Sequence, residues 1–247
     1  MKKTFFLLVG SLPILFSCSK TSLKEESVRE LTSQKQEMPG VNIPLDINYL
    51  DSDSLLYVTD ATSLNWVSAY DVRGLLVASF ALKGEGLQEL ISSQKFQEIT
   101  DEKAIVLSDR TKNSFFTFAK GIENQLPTLK SVTKIKGTRL KSPIFLSENK
   151  FIDFNTDITS SSLLVKFDST GSILKRSLDY PDTGHKMEPY LYQEAYSGYI
   201  SYLPEDRTIL VNLFFVDLIY LFNEDLELLA QFQTEEPFYP RFKGLDN

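Results

Sequence analysis

Ala69-Tyr70-Asp71-Val72-Arg73-Gly74-Leu75-Leu76-Val77 and Lys166-Phe167-Asp168-Ser169-Thr170-Gly171-Ser172-Ile173-Leu174 follow one pattern. An aromatic strand end leads into Asp, two further residues, a glycine, and a second apolar run. Asp at a turn start bonds the backbone amides ahead of it, and glycine takes the positive φ that closes a hairpin. Leu221-Phe222-Asn223-Glu224-Asp225-Leu226-Glu227-Leu228 is a third copy, without the glycine. Phe118-Ala119-Lys120-Gly121-Ile122-Glu123-Asn124 is a degraded one. Asp71 and Asp168 lie 97 positions apart, two intervals of about 48, and Asn223 follows after 55 more. A period of roughly 50 residues with about four strands per unit is the signature of propeller blades. The Asp and Gly of these turns are therefore structural, not a catalytic set.

The surrounding sequence supports this. Strands are expected at 55–59, 66–71, 75–80, 103–108, 114–120, 129–134, 150–154, 163–167, 173–177, 199–203, 208–212, 218–222 and 226–232. Each is short, rich in branched or aromatic residues, and bounded by Asp, Asn, Ser or Gly. Only 89–93 and the stretch 190–196 suit short helical turns. Phe80, Phe118, Phe167 and Phe222 fall at what read as equivalent strand ends and are expected to be buried. The fold class is all-β and β-propeller-like, with about four blade units. Residues 41–247 form the domain, enough for about four blades of roughly 50 residues.

Aromatic-Asp-x-x-Gly before an apolar strand, together with Lys83-Gly84-Glu85-Gly86-Leu87-Gln88-Glu89, resembles the TolB-like six-bladed β-propeller lipoproteins of Gram-negative bacteria. Those proteins often carry Lys-Gly-x-Gly-Pro-x-Glu after the first full blade; here Leu87 stands in place of the proline. The resemblance implies an incomplete or shortened six-bladed propeller, with a closed four-bladed ring as the alternative. It transfers no catalytic residues.

The N-terminus reads as an export signal. Lys2-Lys3 precedes an apolar run from Phe5 to Phe16, then Leu15-Phe16-Ser17-Cys18. A basic start, a short apolar segment and a small residue before the cleavage point mark a signal peptide. The run is too short to cross a bilayer, which takes about 20 residues. The tetrad resembles a lipobox, which implies a signal over 1–17 and acylation of Cys18, the only cysteine. Residues 18–40 are polar, without strand alternation, and read as a flexible tether. Ser19 after the cysteine leaves no acidic residue to hold the protein at the inner membrane, so the lipoprotein resemblance implies the outer membrane.

Formal net charge is −7 and the pI about 4.9. Nucleic acid is excluded as a partner, since phosphate binding needs a basic footprint. There are 18 Phe and 11 Tyr against one Trp, and packing between strands accounts for them more simply than a carbohydrate platform does.

Chemistry is sparse. His185 is the only histidine, in the loop Tyr180-Pro181-Asp182-Thr183-Gly184-His185-Lys186-Met187-Glu188. One histidine cannot build a multi-histidine zinc site. No Gly-x-Ser-x-Gly elbow accompanies it, and no calcium loop is present. No cofactor or metal is expected. Asp182, His185 and Glu188 are the binding candidates, as an inter-blade loop is where recognition surfaces sit. The expected function is a lipid-anchored extracytoplasmic module that holds a protein, peptide or glycan. The alternative is a hydrolase or lyase using His185 with Asp182, Glu188 and Glu194, which would require those groups to converge.

Overall fold

The computed structural model describes residues 38–233, apart from 94, 100–101, 122–125, 148 and 182–187. Cys18, the signal, most of the tether, Asp182 and His185 lie outside the described residues.

Four antiparallel four-stranded sheets make a β-propeller of four blades. The first blade is β1 (Pro44–Leu50), β2 (Leu55–Asp60), β3 (Asn65–Tyr70) and β4 (Leu76–Leu82). The second is β5 (Lys95–Ile99), β6 (Ala104–Asp109), β7 (Ser114–Ala119) and β8 (Thr128–Lys134). The third is β9 (Ile144–Ser147), β10 (Lys150–Phe154), β11 (Leu164–Asp168) and β12 (Ile173–Arg176). After a seven-residue helix, α1 (Pro189–Ala195), the fourth is β13 (Gly198–Leu203), β14 (Thr208–Leu213), β15 (Leu218–Asn223) and β16 (Leu228–Gln233). Strands pair in chain order within every sheet.

The middle strands are buried on both faces, so β6 reads Ala-Ile-Val-Leu-Ser-Asp with no exposed position. The fourth strands lie outermost, and β12 is exposed throughout. Aromatic residues supply the wedge between neighbouring blades. Phe80 meets Phe118 edge-on at 5.2 Å between the first and second. Phe115, Phe151 and Phe167 stack at 4.4 and 5.6 Å between the second and third. Phe154 and Leu164 meet Ile209, Val211 and Tyr220 between the third and fourth. Such ring pairs add to the free energy of burial itself. Among the described residues no comparable buried cluster joins the fourth blade to the first.

The repeated turns have the expected geometry. Asp71 Oδ1 accepts from the amides of Arg73 and Leu75, each at 2.9 Å. Asp168 accepts from Thr170 and Ser172, and Asn223 from Asp225 and Glu227. Gly74 and Gly171 have φ of 78° and 85°. In the copy without glycine, Leu226 takes φ 55° and is buried, so packing offsets the backbone cost. Strand β16 consequently starts at Leu228, two residues later than the apolar pattern suggests.

Three expectations need correction. The first strands of three blades, β1, β5 and β9, are absent from the sequence reading. β5 and β9 are short, and the faces of all three mix polar and apolar residues because they line the interior of the propeller. Phe80 is buried like Phe118, Phe167 and Phe222, but it lies on a fourth strand and the other three on third strands. Tyr70, also buried, is the true counterpart. Residues 89–93 form bends around an isolated bridge from Leu90 to Lys83, not a helical turn, whereas 190–196 overlaps α1.

A second repeat runs through the second strands. Asp60 accepts the amides of Asn42 and Ile43 at 2.6 and 3.2 Å. Asp109 accepts those of Ile91 and Ser92 at 2.7 and 3.4 Å, and Asp153 those of Lys141 and Ser142 at 2.6 and 2.7 Å. Each buried carboxylate clasps the chain just before the first strand of its own blade. Burial opposes ionisation of Asp60, yet the bonds from Thr62, Asn42 and Ile43 outweigh it and hold its pKa below the usual carboxylate value. The Lys83–Glu89 element turns the chain from β4 toward β5, and Glu89 folds back to accept from the Gly86 amide at 2.8 Å.

Candidate functional site

The first strands of all four blades wall a cavity of about 720 Å³. Side chains stitch three of them together. Asp46 on β1 accepts from the Phe96 amide of β5 at 3.2 Å. The Gln97 side-chain amide pairs with both backbone groups of Phe145 on β9, taking its N–H at 2.9 Å. From β13 and β14, Tyr199, Ser201, Leu210 and Asn212 face the same space. Its apolar lining includes Leu45, Ile47 and Ile144. The size and mixed lining suit a small-molecule site.

Two donors lining this cavity are buried and have no hydrogen-bond partner among the described residues: Lys95 Nζ and Asn48 Nδ2. Buried polar groups are normally satisfied, and an unsatisfied cation is the costliest kind. Burial lowers the Lys95 pKa to about 8, against the opposing pull of Asp153 and Asp46. Burial raises Asp153 to about 6, although the amides of Lys141, Ser142 and Phe154 and the charge of Lys95 act the other way. Asp153 already serves those three amides. It is thus engaged with the backbone and does not neutralise Lys95 by contact.

Lys95 also lines an adjoining hollow of about 400 Å³, with Arg110, Lys141 and Glu194. Lys141 Nζ donates to Gln193 O at 2.9 Å and lies 3.4 Å from Glu194. The charged lining of this hollow is thus Lys95, Arg110 and the Lys141–Glu194 pair.

Of the sequence candidates, Glu188 is exposed at the N-cap of α1, with no capping bond from its side chain. Glu194 lines the adjoining hollow, beside Lys141. The structure does not bring Glu188 and Glu194 together as an acid/base pair at the cavity. Among the described residues no group of three His, Cys, Asp or Glu side chains could hold a metal ion. Lys95 and Asn48 were missed. The signal available was a lysine opening the strand Lys95-Phe96-Gln97-Glu98-Ile99, on the face shared by Gln97 and the partly buried Ile99.

No family model matches the chain, and no curated protein matches it. Solved structures do. A protein of Bacteroides fragilis designated as exported is 14% identical, with a TM-score of 0.56 over 79% of this chain and 51% of its own. A DUF4221 family member from Bacteroides vulgatus is 11% identical, with a TM-score of 0.52 over 86% of this chain and 66% of its own. The chain thus spans about half the length of the first and about two thirds of the second. Both are β-propeller proteins, and the likeness is one of fold.

Proposed function

We propose that this chain is an exported, lipid-anchored propeller of the Gram-negative cell envelope, a binding module whose ligand occupies the axial cavity. The observation that carries the reading is the cavity of about 720 Å³ with two buried donors, Lys95 Nζ and Asn48 Nδ2, that lack partners. A fold that bears this cost at the place where four blades converge is poised to receive an acceptor there. The loop holding Asp182, His185 and Glu188 is the proposed surface for a protein, peptide or glycan partner, by its position between blades.

The cavity reading is tested by releasing small molecules from protein purified out of its own membranes and identifying them by mass spectrometry. A stoichiometric compound is expected with the wild type and absent from Ser201→Trp, which fills the cavity. A hydrolase activity retained by Ser201→Trp, with no bound compound in either protein, would overturn it.

The anchor rests on the lipobox-like tetrad ending at Cys18. Stable attachment takes more than one acyl chain, which a modified N-terminal cysteine provides. Cys18→Ser is expected to move the protein from the membrane fraction to the soluble or unprocessed pool. Undiminished membrane attachment of the variant would remove the anchor from the proposal.

A further inference from the structure

We propose that the axial cavity binds a small organic acid, with its carboxylate on Lys95 and its apolar body against Leu45, Ile47 and Leu210. This rests on the cavity being the ligand site and adds the chemical class of the ligand.

Three features select that class. First, both unpartnered groups are donors, so the missing partner is an acceptor. Lys95 Nζ carries charge, so an anionic acceptor is favoured over a neutral one. Second, Asp153 and Asp46 act on Lys95 through space, and among the described residues none bonds its Nζ. Asp153 is committed to the amides of Lys141, Ser142 and Phe154, and Asp46 to the amide of Phe96. In the adjoining hollow, Lys141 and Glu194 pair with each other at 3.4 Å. A carboxylate brought in by a ligand is therefore the acceptor that can meet Lys95 directly. Third, the mixed wall of the cavity includes an apolar portion. Exposed Leu45 and Ile47 on β1 face it, and so does Leu210 on β14. A bare inorganic anion leaves that surface wet, whereas an acid with a hydrocarbon or aromatic body covers it.

Binding should also restore the ordinary charge preference of Lys95, because a contacting carboxylate favours the ammonium form. Asp153 and Asp46 on the neighbouring strands act in the same direction at all times. The change on adding ligand is thus attributable to the ligand.

The test uses the full chain solubilised in detergent, with benzoate and hexanoate as probes. Benzyl alcohol and inorganic phosphate are the comparison arms. Benzoate or hexanoate is expected to bind and to raise the Lys95 pKa, followed by NMR of ¹³Cε-labelled lysine. Lys95→Met should weaken binding by about ten- to a hundredfold, the range for a lost charge-assisted bond. Asn48→Leu should weaken it less. Equal binding of benzoate and benzyl alcohol, or benzoate affinity unchanged in Lys95→Met, overturns the organic-acid assignment while leaving a cavity ligand in place. Phosphate binding tighter than either acid overturns it in favour of an inorganic oxyanion. No shift at the Lys95 signal with any probe, in a protein that carries a compound from its membrane, also counts against it.

Discussion

Lys95→Met is expected to stabilise the folded protein by about 3 kcal/mol at pH 7. The ordinary lysine pKa is 10.5, and in the fold Lys95 falls to about 8. A difference of this size corresponds to about 3 kcal/mol of preference for the neutral form. Between pH 8 and 10.5 the unfolded chain binds more protons at this site than the folded one, so stability rises with pH through that window. The variant has no such group and should lack this contribution to the rise. Asp153 works at the acid side. Its pKa rises from 3.8 to about 6, so the folded state holds the proton longer and stability falls as pH climbs through that interval. Together the two groups place a stability minimum between about pH 6 and 8, where Lys95 is charged and Asp153 ionised, with each flank worth about 3 kcal/mol. For a domain of this size the gain at pH 7 corresponds to roughly 6–10 °C in the thermal midpoint. Midpoints measured from pH 6 to 10 on both proteins decide the matter. A wild type no less stable at pH 7 than Lys95→Met would show that the lysine is accommodated without cost. The trade implied here is familiar in binding sites, where a group that weakens the empty fold is kept for what it contacts later.

Gly171→Ala should be the most damaging single methyl group in the domain, costing about 4 kcal/mol. Gly171 has φ 85°, where a side chain costs about 1–2 kcal/mol. In addition, a Cβ there would sit 1.5 Å from the carbonyl oxygen of Lys136. Backbone cannot step aside as a flexible side chain can, so the turn between β11 and β12 or the segment after β8 must move. Gly137 provides the control. Its φ is 73°, and a Cβ there meets nothing within 4 Å. Gly137→Ala should therefore show the conformational cost alone, about 1–2 kcal/mol. Chemical denaturation of the two variants separates the terms, and similar losses in both would mean that the close approach to Lys136 is not a constraint.

The sequence pattern revealed the hairpins because their chemistry is local. Asp71, Asp168 and Asn223 bond amides two and four residues ahead, so composition within nine residues was enough to find them. The clasps of Asp60, Asp109 and Asp153 were invisible for the opposite reason. Their partners lie 11 to 18 residues away, and a buried Asp at or next to the end of an apolar strand looks like the start of a turn. Tyr70 was passed over for Phe80 because both are aromatic and both are buried, and only pairing distinguishes a third strand from a fourth. The first strands were lost because a strand lining a cavity need not alternate cleanly. β5 presents Lys95 and Gln97 on the same face as Ile99, and Gln97 spends its amide imitating a backbone partner for Phe145. The cavity itself is a product of bringing four such strands together, and no local pattern records that. The candidate site in the sequence was a loop, selected by its histidine; the site in the structure is a lysine with nothing to hold.

Every sheet of this propeller is assembled from four consecutive strands, with none borrowed from the far end of the chain. A protease that nicks a connection between blades, such as the one from Lys83 to Ser93, therefore cuts no hydrogen-bonded ladder. The pieces would still be held by the aromatic wedges, as separately made parts of one machine are held by their mating surfaces. A nick inside a blade, at the turn after Tyr70 for example, parts two paired strands instead. The molecule is thus divisible along its blade boundaries, and limited digestion should read those boundaries out as fragments that stay together until denatured.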